Sequence, residues 1–345
     1  MNRYFWMILA TLVIVAFQVK SQNEKKVTVG CIGFYNVENL YDTVNQENND
    51  EEFLPEGKNK WTGKRYKEKL NRMSDVISQL GTEITPDGIA ILGMSEIENK
   101  SVLEDLVKTE KLKGRKYQIV HYDSPDVRGV DVALIYQPKY FKVLSSKSYR
   151  LKVADKPDFK TRDQLLVSGI FDGDTLHVIV NHWPSRRGGE KRSRPLRNAA
   201  ADLTRSISDS IMKINKNAKI IIMGDLNDDP INESVKLHLK AVKSKEEMTD
   251  GTLFNPMESL FKQGVGSLAY RDNWNLFDQL VLSPGLVNKS DKGYSFHKAV
   301  VFNKKFLMQS SGQYAGYPLR TYVGSTYQGG YSDHFPVYIF IAKEL

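Results

Sequence analysis

The sequence predicts a four-layer α/β sandwich: two β-sheets packed on each other in one domain, with helices outside. Three observations carry this. Apolar runs with strand character and two long amphipathic helical stretches follow one another as strands, helix, strands, helix, strands, in two rough halves. No Gly/Ser-rich or Pro-rich linker divides the chain, and its 345 residues suit one large domain. Several of the apolar runs end in a short polar cluster of Asn, Asp, Glu or His.

Taken in order, Val27 to Tyr35 reads as the first strand, and Asn36-Val37-Glu38-Asn39 follows at its end. Residues 45–60 are polar and acidic and read as a surface loop. Tyr66, Leu70, Met73, Ile77 and Leu80 recur at steps of four and three, which predicts an amphipathic helix closed by Gly81. Ile89 to Met94 is fully apolar, hence a buried strand, and it ends in Ser95-Glu96-Ile97-Glu98-Asn99. A helix near Ser101 to Leu112 is expected to start from a serine cap. Tyr117 to Tyr122 and Val130 to Tyr136 read as paired strands. Leu165 to Phe171 and Thr175 to Val180 form a hairpin around Asp172-Gly173-Asp174, and its second strand runs into Asn181-His182-Trp183. Leu196, Ala200, Leu203, Ile207, Ile211 and Ile214 mark the second long helix. Lys219 to Met223 is a further buried strand, ending in Gly224-Asp225-Leu226-Asn227. Phe277 to Ser283 and Val337 to Ile341 complete the strands, with Ser332-Asp333-His334 at the mouth of the last. The Tyr-, Gly- and Ser-rich stretch from Val287 to Gly330 is expected to form long loops around a site.

The first residues differ from the rest. A positive start at Arg3 and an apolar run from Trp6 to Phe17 give way to Gln18, Lys20, Ser21 and Gln22. A run of about twelve residues is short for a membrane span and right for a signal-peptide core. Residues 1–22 are therefore expected to be a signal peptide and 23–345 the folded domain, with an uncleaved N-terminal anchor as the alternative. No other stretch could cross a bilayer. Cys31 is the single cysteine, so no intrachain disulfide can form, and its strand-like surroundings make it core packing. The composition excludes wholesale disorder. A net charge of +8 fits a phosphate-bearing substrate, and fits plain solubility equally well.

The strand-end clusters bring together Asn36, Glu38, Glu96, His182, Asp225, Asn227, Asp278, Asp333 and His334. They are carboxylates, carboxamides and imidazoles, with no serine or cysteine in an activating motif. Carboxylate and amide oxygens suit Mg²⁺, Mn²⁺ or Ca²⁺, whereas the His-x-x-x-His or cysteine spacing that zinc favours is missing. A hard cation, two histidines and excess positive charge point to phosphate ester hydrolysis.

Phe34-Tyr35-Asn36-Val37-Glu38-Asn39, Ser95-Glu96-Ile97-Glu98-Asn99, Asn181-His182-Trp183, Gly224-Asp225-Leu226-Asn227, Phe277-Asp278-Gln279-Leu280 and Ser332-Asp333-His334 occur in that order. Together they resemble the endonuclease/exonuclease/phosphatase superfamily, whose best-known member is deoxyribonuclease I, and most of all its secreted bacterial branch. The resemblance implies a deoxyribonuclease I-like fold with two mixed sheets. It makes Glu96 the main metal ligand with Asn36 beside it, Glu38 a second acidic metal position and Asp333 a ligand reached through water. It gives His334 the phosphate or the role of base, oriented by Asp278. Asp225 positions the water, Asn227 donates to a phosphate oxygen, and His182 serves as the second histidine. Arg162 stands where the family often has a phosphate-binding arginine, and Arg186, with Arg187, could extend that anionic site. The implied activity is an exported, metal-dependent phosphodiesterase, an endonuclease or exonuclease acting on nucleic acid. The alternatives are a phosphatase or phosphodiesterase for lipid headgroups or small phosphate esters, and a catalytically silent binding protein of the same fold. The last is marked by loss of the acidic and histidine positions, all of which this sequence keeps.

Overall fold

In the computed structural model, residues 26–288 and 293–345 are described. The signal peptide and anchor expectations lie outside them. The strands are β1 (Val27–Leu40), β2 (Ile91–Ile97), β3 (Gln118–His121), β4 (Asp131–Tyr136), β5 (Phe141–Tyr149), β6 (Gln164–Phe171), β7 (Asp174–His182), β8 (Lys219–Asp225), β9 (Ala241–Val242), β10 (Leu253–Phe254), β11 (Leu268–Tyr270), β12 (Asn273–Asn275), β13 (Asp278–Leu282), β14 (Ser295–Val301), β15 (Tyr322–Val323), β16 (Thr326–Tyr327) and β17 (Val337–Glu344). The helices are α1 (Gly63–Ile77), α2 (Lys100–Lys108), α3 (Glu190–Ile214), α4 (Met257–Lys262) and α5 (Pro284–Val287). Among the described residues no helix is long and apolar enough to cross a membrane.

Six strands form one sheet in the order β14-β17-β1-β2-β4-β3, and seven form the other in the order β5-β6-β7-β8-β13-β10-β9. Both are mixed: β1 pairs parallel with β2 and antiparallel with β17, and β8 pairs parallel with β7 and antiparallel with β13. The sheets pack face to face, and the Ile220-Ile221-Ile222-Met223 run shows why such strands read as continuously apolar. Ile221 and Met223 enter the core between the sheets, while Ile220 and Ile222 enter the core under α3. Each such side chain contributes about 1.5–3 kcal/mol of burial. Gly93 lets the sheets close, because a Cβ there would stand 2.5 Å from Met223 Sδ. Cys31 is fully buried, as expected, with its Sγ beside Gly81 just past α1.

Several elements depart from the sequence reading. β1 continues past Tyr35 to Leu40, carrying Asn36 and Glu38 within the strand. The cap of α2 is Asn99, whose side chain accepts from the Val102 N–H at 3.1 Å, rather than Ser101. α3 begins at Glu190 and passes through Pro195, so that one N–H of its ladder is missing. β14 is a strand where the sequence suggested loop, and β5 lies in a stretch to which the sequence reading assigned no element; both sit at sheet edges and are largely exposed or half-buried, so no apolar run betrays them.

Candidate active site

Register brings the first residues together. Asp225, at the end of β8, lies opposite His182 at the end of β7 and opposite Asp278 at the start of β13. These three neighbouring strands therefore present His182, Asp225 and Asp278 side by side at one edge of the seven-stranded sheet. From the other sheet come Asn36 on β1, paired with Ser95 on β2, and His334, three residues ahead of β17. The apposed sheets bring the two sets of tips into contact.

Two bulges shape the six-stranded side. The ladder between β1 and β2 slips between Asn36 and Leu40, and that between β2 and β4 slips between Ser95 and Ile97. Glu38, Asn39 and Glu96 lie in these slips with φ of 52°, 53° and 62°, and Asn227 beyond β8 has φ 51°. Non-glycine residues in this left-handed region are uncommon, and bulges beside active sites re-aim side chains that a regular strand would point elsewhere.

Asp225 is the hub. Its Oδ2 accepts from Asn36 Nδ2 at 3.1 Å and lies 3.7 Å from His182 Nε2 and 3.8 Å from His334 Nε2. Its Oδ1 accepts from the Asn227 N–H at 2.9 Å, and Asn227 Nδ2 donates to the Trp183 carbonyl at 3.0 Å. His334 Nδ1 is 2.6 Å from Asp278 Oδ2. Ser267 Oγ donates to that same oxygen at 2.5 Å, so Asp278 is fixed from two sides. Ser332 Oγ accepts from the His334 N–H at 3.1 Å and donates to the Asn36 carbonyl at 2.7 Å, tying the histidine loop to β1.

Burial and charge then set the protonation states. Burial raises the Asp225 carboxyl, with His334 opposing, and it stands at about 6. For His334 burial acts downward, yet the carboxylates of Asp278 and Asp225 outweigh it and hold the imidazole well above its usual value. His182 goes the other way, pushed well down by burial and then by the Arg162, Arg128 and His334 charges. Near neutral pH the site thus holds an imidazolium, a neutral imidazole and a carboxylate able to take a proton.

The expected metal positions divide. Glu96 Oε2 accepts from the Asn39 N–H at 2.9 Å, and Oε1 has no partner among the described residues. With the Asn36 amide oxygen on the adjacent strand, Glu96 offers the hard oxygen donors that a divalent cation requires, so the site fits such an ion there. Asp225, Asp278 and His334 also bring ligand atoms within 4.8 Å of one another. The His334–Asp278 contact is itself a hydrogen bond, however, so this trio is better built to hold a proton. Glu38 and Asp333 lie in a separate ionic knot. Glu38 Oε2 accepts from the Thr321 N–H at 2.6 Å and faces buried Lys69 Nζ at 3.9 Å, and its Oε1 meets Arg320 Nε at 3.4 Å. Asp333 Oδ2 is 2.6 Å from Arg320 Nη2, and its Oδ1 is 3.9 Å from His334 Nε2. Burial and the Asp333 charge push Glu38 up to about 7, while burial pulls Lys69 down to about 8. Cations of the chain already answer both carboxylates.

The two arginines expected to bind phosphate are committed elsewhere. Arg162 is buried and donates through Nη1 to Asp126 at 3.1 Å and through Nη2 to the Trp183 carbonyl at 2.6 Å. Arg186 donates to the Asn227 carbonyl at 2.9 Å and to Asp228, Asp229 and Asn232, and stacks over Phe277. Both are engaged with the protein, although Arg162 Nε is buried without a partner and Arg186 Nη1 meets no acceptor among the described residues. Arg187 is exposed. The sequence reading assigned no role to Ser267 or Ser332. Ser332 was visible inside its motif, whereas nothing in the sequence marks Ser267 as the partner of Asp278.

A buried carboxylate between two imidazoles, with hard oxygen donors on the facing sheet, defines the class: a hydrolase of phosphate esters. The chain belongs to the endonuclease/exonuclease/phosphatase family, whose sequence profile matches residues 31–343. Solved structures of the same fold include a Bacteroides thetaiotaomicron endonuclease/exonuclease/phosphatase family protein, at 17% identity and TM-score 0.54, with 93% of this chain and 100% of that one covered. A mannosyl-6-phosphatase from the same organism matches at 17% identity and TM-score 0.53, covering 90% and 99%. D. rerio TDP2 in complex with a single-strand DNA product matches at 13% identity and TM-score 0.53, covering 91% and 99%. No curated protein sequence matches the chain significantly.

Proposed function

We propose that the protein is an exported, Mg²⁺- or Mn²⁺-dependent phosphodiesterase that cleaves nucleic acid. The observation that carries hydrolysis is the Asp225 carboxylate within 3.8 Å of two imidazoles of opposite charge preference. When bound at Glu96 and Asn36, the cation supplies positive charge to the phosphoryl oxygens. The residues of the chain do the rest. His334, protonated and locked by Asp278, donates to a phosphate oxygen; Asp225 takes the proton of the attacking water; neutral His182 hydrogen-bonds across the phosphate; and Asn227 holds Asp225 in place through its backbone N–H.

Nucleic acid as substrate is supported by an aromatic ledge beside His334. Trp274, 37% exposed, stacks on Phe335 with centroids 6.0 Å apart, and Tyr317 and Tyr314 continue the row. Such a row suits unpaired bases. Export rests on the apolar run from Trp6 to Phe17. A second reading, a phosphatase for small esters, draws on a polar recess of about 230 Å³ lined by Glu38, Asn39, Lys58, Asn59, Arg320 and Tyr322.

A panel of duplex DNA, single-stranded DNA, RNA, sphingomyelin, inositol phosphates and mannose 6-phosphate, with Mg²⁺, Mn²⁺ or chelator, tests both. Metal-dependent cleavage of single strands is the expected result. Turnover of monoesters alone would move the assignment to the second reading, and a rate indifferent to chelator would end both.

A further inference from the structure

Four arginines are tied by their contacts to the centre: Arg128, Arg162, Arg186 and Arg320. Arg162 has an acceptor on each terminal nitrogen, Arg186 places Nη2 on three side chains, and Arg320 places Nη2 on Asp333. Arg128 differs. Its one side-chain contact is Nε to Asp126 Oδ1 at 3.5 Å, and neither Nη1 nor Nη2 has an acceptor among the described residues. The side chain is 43% exposed, so the open fork is reachable.

The loop that carries Arg128 is built rather than loose. The Arg128 N–H donates to Asp126 Oδ1 at 3.0 Å, and the Arg128 carbonyl accepts from Tyr41 Oη at 2.8 Å. The Gly129 N–H donates to the Asp126 carbonyl at 2.9 Å, and Gly129 has φ 66°, which closes the turn with a residue free to adopt it. Asp126 also holds Arg162, whose other terminal nitrogen is on the Trp183 carbonyl, the same oxygen that receives Asn227 Nδ2. Arg128 is thereby linked to the His182–Asn227 corner through two side chains. The Glu96 and Asp126 charges favour its charged form, and its own charge in turn disfavours a positive His182 ring. A guanidinium carried on a braced turn, with both terminal nitrogens open and its charge coupled to Glu96 and to His182, matches what a non-bridging phosphate oxygen requires.

We propose that Arg128 is the arginine that grips the substrate phosphate, its two terminal nitrogens donating to a non-bridging oxygen between Glu96 and His182. This deepens the phosphodiesterase reading and rests on it for the identity of the ligand. The role falls to the Asp-Val-Arg-Gly turn before β4 rather than to Arg162 or Arg186.

The test is calorimetric binding of inorganic phosphate to the whole protein in Mg²⁺ buffer, for wild type, Arg128→Gln and Arg128→Lys, with far-UV circular dichroism to confirm folding. Arg128→Gln is expected to weaken phosphate binding at least about tenfold. Arg128→Lys keeps a point charge beside Glu96 and Asp126 but loses the fork, and is expected to weaken it about threefold or more. It also covers the case in which the turn needs a cation to fold. Phosphate binding unchanged in a folded variant, or undetectable in wild type, overturns the assignment. Failure of the phosphodiesterase reading registers separately, as wild-type protein that turns over no member of the substrate panel.

Discussion

His182 and His334 reach the same oxygen of Asp225 from opposite sheets, at 3.7 and 3.8 Å, and yet they hold opposite protonation states. What separates them is the far side of each ring. His334 sets Nδ1 on the buried Asp278 carboxylate, so a positive ring is answered at both nitrogens. His182 Nδ1 is buried without a partner, and the ring lies near the Arg162 and Arg128 charges, so a positive ring is penalised. Distance to the shared carboxylate therefore decides little; the second neighbour decides the charge.

The largest effect should come from removing the protonated ring. His334→Ala is expected to lower kcat by about 10³-fold, against about 10²-fold for His182→Ala, measured on whichever ester the substrate panel selects. Equal losses would erase the distinction between the two rings. Next, Asp278→Asn keeps the shape but removes the charge that holds His334 up. Turnover should fall by about 10- to 100-fold, and the His334 titration, followed by NMR, should move down toward 6.5 while that of His182 stays low.

The two rings should also pull stability in opposite directions with pH. His334 has a folded pKa above its unfolded value of about 6.5, so its contribution is fully present below that pH and is lost as pH rises through the folded value. His182 has a lowered folded pKa, so the fold is penalised as pH falls below about 6.5. In chelator, between about pH 5 and about pH 9, the Tm deficit of His334→Gln should be widest in acid and narrow toward alkali, whereas His182→Gln should gain on wild type in acid. Parallel curves would contradict the assignment. The smallest effect belongs to Ser267→Ala, which removes the 2.5 Å bond to Asp278. About 1 kcal/mol of stability and a modest downward drift of the His334 titration are expected.

Much of this site was legible beforehand. His182, Asp225, Asp278 and His334 each stand at the end of an apolar run, and such runs announce buried strands whose tips collect at one rim. The edge strands Phe141–Tyr149 and Ser295–Val301 were not, because an edge buries too little to force an apolar pattern. Glu38 was equally opaque: its motif suggests a metal ligand, but Lys69, from α1, and Arg320 surround it. Arg162, Arg186 and Arg128 look alike in sequence, and only their acceptors distinguish two guanidinium groups held by the protein from one open at both terminal nitrogens.

The sequence by itself determined the layered α/β architecture, the order of the strands' polar tips and the kinds of groups they carry, because hydrophobic period and residue chemistry are local properties. Tertiary structure alone decided which of those groups touch, through the in-register ends of β7, β8 and β13 and the bulges at Glu38 and Glu96. It also decided which histidine is charged, since proton affinity depends on burial and on neighbours distant along the chain, such as the Asp278 and Asp225 carboxylates that the other sheet sets against His334.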